Sequence, residues 1–121
     1  MHITRGSPLI CEVILIVEDD VDVLDLLIRM MLRLDYLVMA ASHPAKALEL
    51  AENLSNPIAV MLTDIDMPGM DGFQLARRVR CCRPDLKVVF MSGEHHSDGF
   101  GDAVFLRKPF TLEQLAKAIQ A

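Results

Sequence analysis

The chain is short of basic residues. Its 121 residues include 12 lysines and arginines against 17 aspartates and glutamates, which gives a net charge of −5 at pH 7. This balance argues against direct binding of nucleic acid through a basic face and against binding to an anionic membrane surface. It is compatible with a cation site or with a basic partner protein.

Long apolar runs are also missing, so the sequence predicts no membrane-spanning helix. The apolar stretch at residues 8–17 contains Glu12 and runs directly into three acidic residues, whereas a signal peptide would end in small residues. We therefore expect a cytoplasmic protein with no insertion into a membrane.

Cysteines are few: the chain has only Cys11, Cys81 and Cys82. An odd number with two adjacent residues is a poor framework for disulfides, so we expect reduced thiols, as in cytosolic proteins. The cysteines and histidines do not show the paired spacing of a zinc finger, and no structural zinc site is predicted.

Hydrophobic residues make up 52% of the chain, which is enough for one domain with a buried core. We predict a tail at residues 1–10 and a single domain at residues 11–121. Within that domain, short apolar runs typical of buried strands alternate with amphipathic segments typical of helices. This alternation predicts an α/β fold, a doubly wound parallel sheet with helices on both faces and right-handed crossovers.

The element boundaries follow from apolar runs and capping residues. Asp20 is placed to cap the first helix, and Pro44 suits the first turn of the second, which is expected to run to about Leu54. Thr111 and Gln114 have the form of a capping box that opens the last helix. The predicted strands lie at residues 12–17, 36–40, 58–63, 87–91 and 103–106.

The segment between the fourth and fifth strands departs from the alternating pattern. Residues 92–102 carry three of the six glycines and show no apolar periodicity, so they would make a poor crossover helix. We predict that this helix is shortened or absent, and that residues 94–102 form a mobile loop or a single turn.

Acidic residues follow two of the predicted strands. Glu18 and Asp19 come after the first strand and Asp64 after the third, so all three should meet at one edge of a parallel sheet. Two carboxylates about 4 Å apart repel by roughly 4 kcal/mol at an effective dielectric constant near 20. A hard divalent cation would compensate this repulsion, and Mg²⁺ is the natural candidate. The alternative is that Glu18 and Asp20 only favour the start of a helix.

Ser92 ends the fourth strand, and Lys108 follows the fifth strand directly before Pro109. A hydroxyl and an ammonium group at the same edge could hold an anion beside the cation. Taken singly, Ser92 could be a turn former and Lys108 a solvated charge. Their coincidence with the acidic residues favours a shared site.

In this combination the sequence resembles the response-regulator receiver domains of two-component signalling, which are CheY-like. The acidic pair matches Glu18-Asp19, and the phosphoacceptor motif matches Asp64 with the turn residues at 67–72. The hydroxyl position matches Ser92, the lysine-proline pair matches Lys108-Pro109, and the aromatic switch position falls on Phe105. The resemblance covers about residues 12–121.

The resemblance implies a flavodoxin-like, five-stranded parallel sheet of order 2-1-3-4-5. It also implies a phosphoacceptor rather than an enzyme acting on a free substrate. Asp64 would take a phosphoryl group from a histidine kinase or phosphotransfer protein, with self-catalysed transfer and autodephosphorylation.

The resemblance further assigns roles to single residues. Mg²⁺ would be held by Asp19 and Asp64, by the backbone carbonyl of Asp66, and by Glu18 mostly through water. Lys108 and Ser92 would bind phosphoryl oxygens, and the Lys108–Pro109 bond would be cis. Movement of Ser92 would let Phe105 turn inward as a switch, although Phe105 could also be an ordinary core residue.

Two features of the chain leave alternatives open. The shortened crossover alters the face that receivers commonly use to dimerise, made of the fourth helix, fifth strand and fifth helix. The chain could therefore be a receiver-like interaction module that signals without phosphorylation. Asp64-Ile65-Asp66 also resembles the motif of haloacid-dehalogenase-type phosphatases, but it lies on the third strand and Pro68 replaces the expected Thr or Val. The sequence leaves open whether the chain is a complete regulator or part of a hybrid kinase.

Overall fold

Strands and helices alternate along the chain, except between the last two strands, in the computed structural model, which describes residues 12–93 and 101–121. The predicted alternation is confirmed, with boundaries that differ from the sequence-based ones by one or two residues. The elements are β1 Val13–Val17, α1 Val21–Arg33, β2 Leu37–Ala41, α2 Pro44–Glu52, β3 Ile58–Asp64, α3 Gly72–Cys82, β4 Lys87–Ser92, β5 Val104–Arg107 and α4 Leu112–Gln120.

The five strands form one parallel sheet in the order β2-β1-β3-β4-β5, which confirms the predicted topology. All five residues of β1 are buried because helices cover both faces of the sheet. The register places Asp64 beside Met91 and Ser92 beside Arg107, at the carboxyl ends of their strands. The chemically interesting side chains therefore meet at one edge of the sheet.

Each face of the sheet has its own apolar core. One core joins the sheet to α2 and α3, and the other joins it to α1 and α4. The longest helix of the described part of the chain, α1, has 13 residues. Within residues 12–93 and 101–121, no helix is long and apolar enough to cross a membrane.

The predicted helix starts are confirmed. The Asp20 carboxylate accepts hydrogen bonds from the backbone N–H groups of Asp22 and Val23 at the start of α1. Pro44 lies in the first turn of α2. The capping box of Thr111 and the side chain three residues after it opens α4.

The end of α2 differs from the prediction because distant residues satisfy its last carbonyl groups. The helix ends at Glu52 rather than near Leu54. Arg83 Nε donates to the carbonyl oxygen of Ala51 at 2.7 Å, and Arg83 Nη2 donates to that of Asn53 at 3.0 Å. Satisfied carbonyl groups allow the chain to leave the helix early.

As predicted, the described part of the connection from β4 to β5 contains no crossover helix. Its described residues, Gly93 and 101–103, are not helical. Arg80 of α3 supports the start of β5 through a two-nitrogen contact with the Asp102 carboxylate, at 3.1 and 3.3 Å. The same guanidinium donates to the carbonyl oxygen of Leu86 at 3.0 and 3.2 Å. One side chain of α3 therefore contacts the residues that precede both β4 and β5.

Several sequence-based predictions fall on residues 1–11 and 94–100, which lie outside the described residues. They concern the predicted tail, Cys11 and most of the predicted mobile loop. Cys81 and Cys82 are described and are free thiols at the end of α3.

Candidate functional site

Three acidic side chains converge where β1 and β3 end, as the sequence predicted. Glu18, Asp19 and Asp64 each offer a carboxylate oxygen, and these oxygens lie within 4.8 Å of one another. Glu18 and Asp64 are only 1% and 6% exposed, while Asp19 faces solvent. Two buried carboxylates this close require a positive charge beside them.

Lys108 supplies that charge within the chain. Its Nζ donates a hydrogen bond to Glu18 Oε1 at 2.9 Å and forms an ion pair with Asp64 Oδ1 at 3.3 Å. The backbone places Lys108 directly after β5, where its N–H donates to the carbonyl oxygen of Ser92 at 2.8 Å. The Lys108–Pro109 peptide bond is cis, as the resemblance implied.

The neighbouring acid Asp20 has a different role from Glu18. Its carboxylate is used by the first turn of α1, and its own N–H donates to Glu18 Oε2 at 3.1 Å. The Glu18 N–H donates to the carbonyl oxygen of Ala41 at 3.1 Å. Asp20 is therefore a helix cap, whereas Glu18 is fixed within the acidic cluster rather than merely favouring a helix start.

Burial and pairing shift the pKa values of the site in opposing ways. Burial raises the pKa of Asp64 above its ordinary value of 3.8, against the lowering effect of the Lys108 ammonium. Burial likewise raises the pKa of Glu18, against the hydrogen bond from Lys108. Burial alone would lower the pKa of Lys108, but Glu18 and Asp64 together raise it. Lys108 is therefore a cation at neutral pH.

The backbone around Asp64 is held by close contacts with α3. The Gly72 N–H donates to the carbonyl oxygen of Ile65 at 2.8 Å. A Cβ on Gly72 would overlap the carbonyl oxygen of Asp64 and lie 2.9 Å from Ile65 Cα, so only glycine fits. The Thr63 hydroxyl donates to the same Asp64 carbonyl oxygen at 2.9 Å. The first turn of α3 is thus fixed to the strand end that carries Asp64.

Asp66 and Ser92 lie beside the cluster rather than in it. The Asp66 side chain is exposed in the turn after β3, and its charge contributes to the raised pKa of Asp64. Ser92 is buried at the end of β4, next to Arg107 of β5. The ligand role of the Asp66 carbonyl and the phosphoryl-binding role of Ser92 remain predictions.

Phe105 is 40% exposed, so it is not an ordinary core residue. Its ring centroid lies 5.3 Å from that of Phe90 and 6.3 Å from that of Phe73. The Phe73 and Phe90 centroids are 4.8 Å apart. Phe73 was not among the residues that the sequence linked to the site. Its position directly after Gly72 is the one signal that could have linked it to the site.

Comparisons with known proteins agree with this arrangement. A family model described as the response regulator receiver domain matches residues 14–120. The response regulator receiver protein CpdR of Brucella abortus (strain 2308) is 38% identical over 113 residues, which cover 88% of this chain and 92% of CpdR.

Two further proteins are similar to this chain, one in sequence and one in solved structure. The sensor kinase CckA of Brucella abortus (strain 2308) is 37% identical over 114 residues, which cover 88% of this chain but 12% of CckA. The crystal structure of a response regulator receiver protein from Sinorhizobium medicae WSM419 has a TM-score of 0.83 at 32% identity. That match covers 93% of this chain and 94% of the other.

The raised pKa of Asp64 predicts that its carboxylate destabilises the fold at neutral pH. Because folded Asp64 binds a proton more tightly than unfolded Asp64, wild-type stability falls as the pH rises from 3.8 through the folded pKa. Asp64→Asn should therefore raise the free energy of unfolding at pH 7 by about 1 kcal/mol, the common size of a single-residue effect. The gain should shrink as the pH falls through the folded pKa.

Urea unfolding of both proteins at pH 7 and at about pH 4 would measure this difference. Asp85→Asn is a matched control, because it removes the same charge from an exposed loop outside the site. Equal or lower stability of Asp64→Asn at pH 7 would contradict the proposed electrostatic cost.

Proposed function

The chain belongs to the response regulator receiver family, and we propose that it accepts a phosphoryl group on Asp64 with the help of Mg²⁺. The donor would be the phosphohistidine of a histidine kinase or phosphotransfer protein. One observation carries the proposal: a buried Asp64 carboxylate contacts Lys108 within an acidic cluster at the carboxyl edge of the sheet.

Asp64 acts as the nucleophile in this proposal. One carboxylate oxygen attacks the phosphorus atom, a P–O bond forms, and the P–N bond to the donor imidazole breaks. The imidazole leaves with the electron pair of that bond and takes up a proton.

The acidic cluster fits Mg²⁺ by its chemistry. Glu18, Asp19 and Asp64 present hard carboxylate oxygens close together, and an exposed Asp19 leaves the cluster accessible from solvent. Asp19 and Asp64 would bind the ion directly, Glu18 mostly through water, and Asp66 through its backbone carbonyl. When bound, Mg²⁺ neutralises the charge that develops on the phosphoryl oxygens.

Lys108 and Ser92 would orient the phosphoryl group. The Lys108 ammonium already lies 3.3 Å from Asp64 Oδ1, so it can reach an oxygen on a group attached to that carboxylate. Ser92 ends the neighbouring strand and offers a hydroxyl at the same edge. Apart from Gly93 and its chain neighbours, no atom of the described residues lies within 4 Å of the position that a Gly93 Cβ would occupy, which favours access for a donor imidazole or water.

Ser92 and Phe105 would form the switch. Phe105 is paired in register with Phe90, and Ser92 lies two residues after Phe90 on the same face of the sheet. If Ser92 moves toward the phosphoryl group, the space beside it becomes available to the Phe105 ring. The chain would then shift between two conformations of similar free energy.

The competing functions find less support in the site. An interaction module that does not react has no need for Lys108 between two buried carboxylates. A phosphatase of the haloacid-dehalogenase type would need the second acid of its motif at the reacting group, but the Asp66 side chain is exposed outside the cluster.

Incubation with acetyl phosphate and Mg²⁺ tests the acceptor. Intact-protein mass spectrometry should show the addition of one phosphoryl group to the wild type, and none to Asp64→Asn. Asp66→Asn is the matched control, because it changes an exposed carboxylate two residues away and should still be modified. Removal of Mg²⁺ with a chelator should abolish the adduct. An adduct that persists in Asp64→Asn would show that the acceptor is another residue.

Lys108 should also limit the affinity for Mg²⁺, because its ammonium occupies the same carboxylates. Lys108→Met removes one positive charge beside a divalent ion. At a separation of about 4 Å in a water-like environment that repulsion is about 2 kcal/mol, so Mg²⁺ should bind about thirtyfold more tightly. NMR titration of backbone amides around Asp64 would measure both dissociation constants.

Lys87→Met is the control for this change. Lys87 begins β4 at the other end of the sheet, where its Nζ donates to the carbonyl oxygen of Ile119 at 2.8 Å. Its loss should leave Mg²⁺ affinity nearly unchanged. Weaker Mg²⁺ binding by Lys108→Met would mean that the lysine does not compete with the ion.

A further inference from the structure

We propose that Phe73 is a positioning residue that holds Phe105 in its exposed orientation, and so sets how readily the chain adopts its phosphorylated conformation. The inference rests on the proposed function of Asp64 and on the switch role of Phe105. It adds a residue that neither the family motif nor the sequence analysis assigns to that switch.

The three rings form one connected cluster. Phe90 is 0% exposed and fixed in the core, and the ring centroids of Phe73 and Phe105 lie 4.8 and 5.3 Å from its own. Phe73 and Phe105 also approach each other directly, with centroids 6.3 Å apart and ring planes tilted by 51°. Tilted rings at centroid separations of about 4.5–7 Å attract each other beyond their apolar burial.

The sheet register places the cluster on the face where the switch must operate. Phe90 and Ser92 point to the same face of β4, and Phe105 is the register partner of Phe90 on β5. The same face carries α3, the helix that begins with Phe73 in its first turn. A Phe105 ring that turns toward Ser92 must therefore change its contact with Phe73.

Phe73 is also fixed relative to the acceptor. It follows Gly72, whose N–H is bonded to the Ile65 carbonyl oxygen and whose Cα lies against the Asp64 carbonyl group. The start of α3 thus connects the acceptor strand β3 to the ring of Phe73. A second path from Asp64 to Phe105 runs through this helix turn, beside the path through Ser92.

The contact seen here belongs to the exposed orientation of Phe105. A contact made in one of two conformations shifts the equilibrium toward that conformation by its own free energy. A ring pair of this kind is worth about a two- to tenfold change in an equilibrium constant. Phe73 would therefore disfavour the inward orientation by that factor.

Beryllofluoride with Mg²⁺ serves as the probe, because it mimics a phosphoryl group on a carboxylate. Phe73→Leu keeps an apolar side chain without the ring, and it should bind beryllofluoride about two- to tenfold more tightly than the wild type. Phe73→Met provides a second, flexible replacement if the leucine variant does not fold. Unchanged or weaker binding by the folded variant would overturn the inference.

A double-mutant cycle separates positioning from general loosening. In a Phe105→Leu background, Phe73→Leu should no longer change the affinity, because the ring on which it acts is missing. Val79→Ala removes a buried side chain six residues after Phe73 on the same helix, and should give no gain. A gain that persists without the Phe105 ring, or appears in Val79→Ala, would refute the specific role of Phe73.

Fluorine NMR reads the orientation of Phe105 directly. The chain has five phenylalanines, so 4-fluorophenylalanine gives five signals that single substitutions can assign. Without beryllofluoride, Phe73→Leu should move the Phe105 signal part of the way toward its bound position, and an unmoved signal would refute the inference. Failure of the wild type to bind beryllofluoride through Asp64 would overturn the proposed function and this inference together, whereas normal binding with no effect of Phe73→Leu overturns the inference alone.

Discussion

The contact of one ammonium group with two buried carboxylates is the interaction on which the site depends. Lys108 Nζ lies 2.9 Å from Glu18 and 3.3 Å from Asp64, and neither acid has much access to water. Removing the lysine would leave two buried carboxylates without a compensating charge. The same contact joins the ends of β1, β3 and β5, so it also holds together the edge of the sheet.

The sheet topology makes this contact possible. The order β2-β1-β3-β4-β5 places the acids on adjacent strands β1 and β3, and Lys108 follows the edge strand two positions away from β3. The bond from the Lys108 N–H to the Ser92 carbonyl oxygen brings the lysine back toward the cluster. Reactive groups at a parallel sheet edge are thus positioned by strand register, while the turns determine which backbone atoms face them.

Much of this arrangement follows from the sequence. Apolar runs that alternate with amphipathic segments predicted the α/β sheet, and acids directly after β1 and β3 predicted the cluster. The strand order and the roles of Ser92, Lys108 and Phe105 came from the family resemblance, since periodicity alone does not order strands. The end of α2 was missed because Arg83, some thirty residues later, satisfies its carbonyl groups. The ring contact between Phe73 and Phe105 was also missed, because the fold brings together one helix position and one strand position that are far apart in the sequence. No local sequence pattern connects them.

The central claim is that Asp64 itself becomes the acyl phosphate. Borohydride reduces an acyl phosphate to an alcohol, so a phosphorylated aspartate becomes homoserine and its position can be read by peptide mass spectrometry. After incubation with a phosphodonor and Mg²⁺, we expect homoserine at position 64 and unmodified aspartate at positions 19 and 66. Homoserine at either of those positions, or at none in a chain that has taken up phosphate, would contradict that claim.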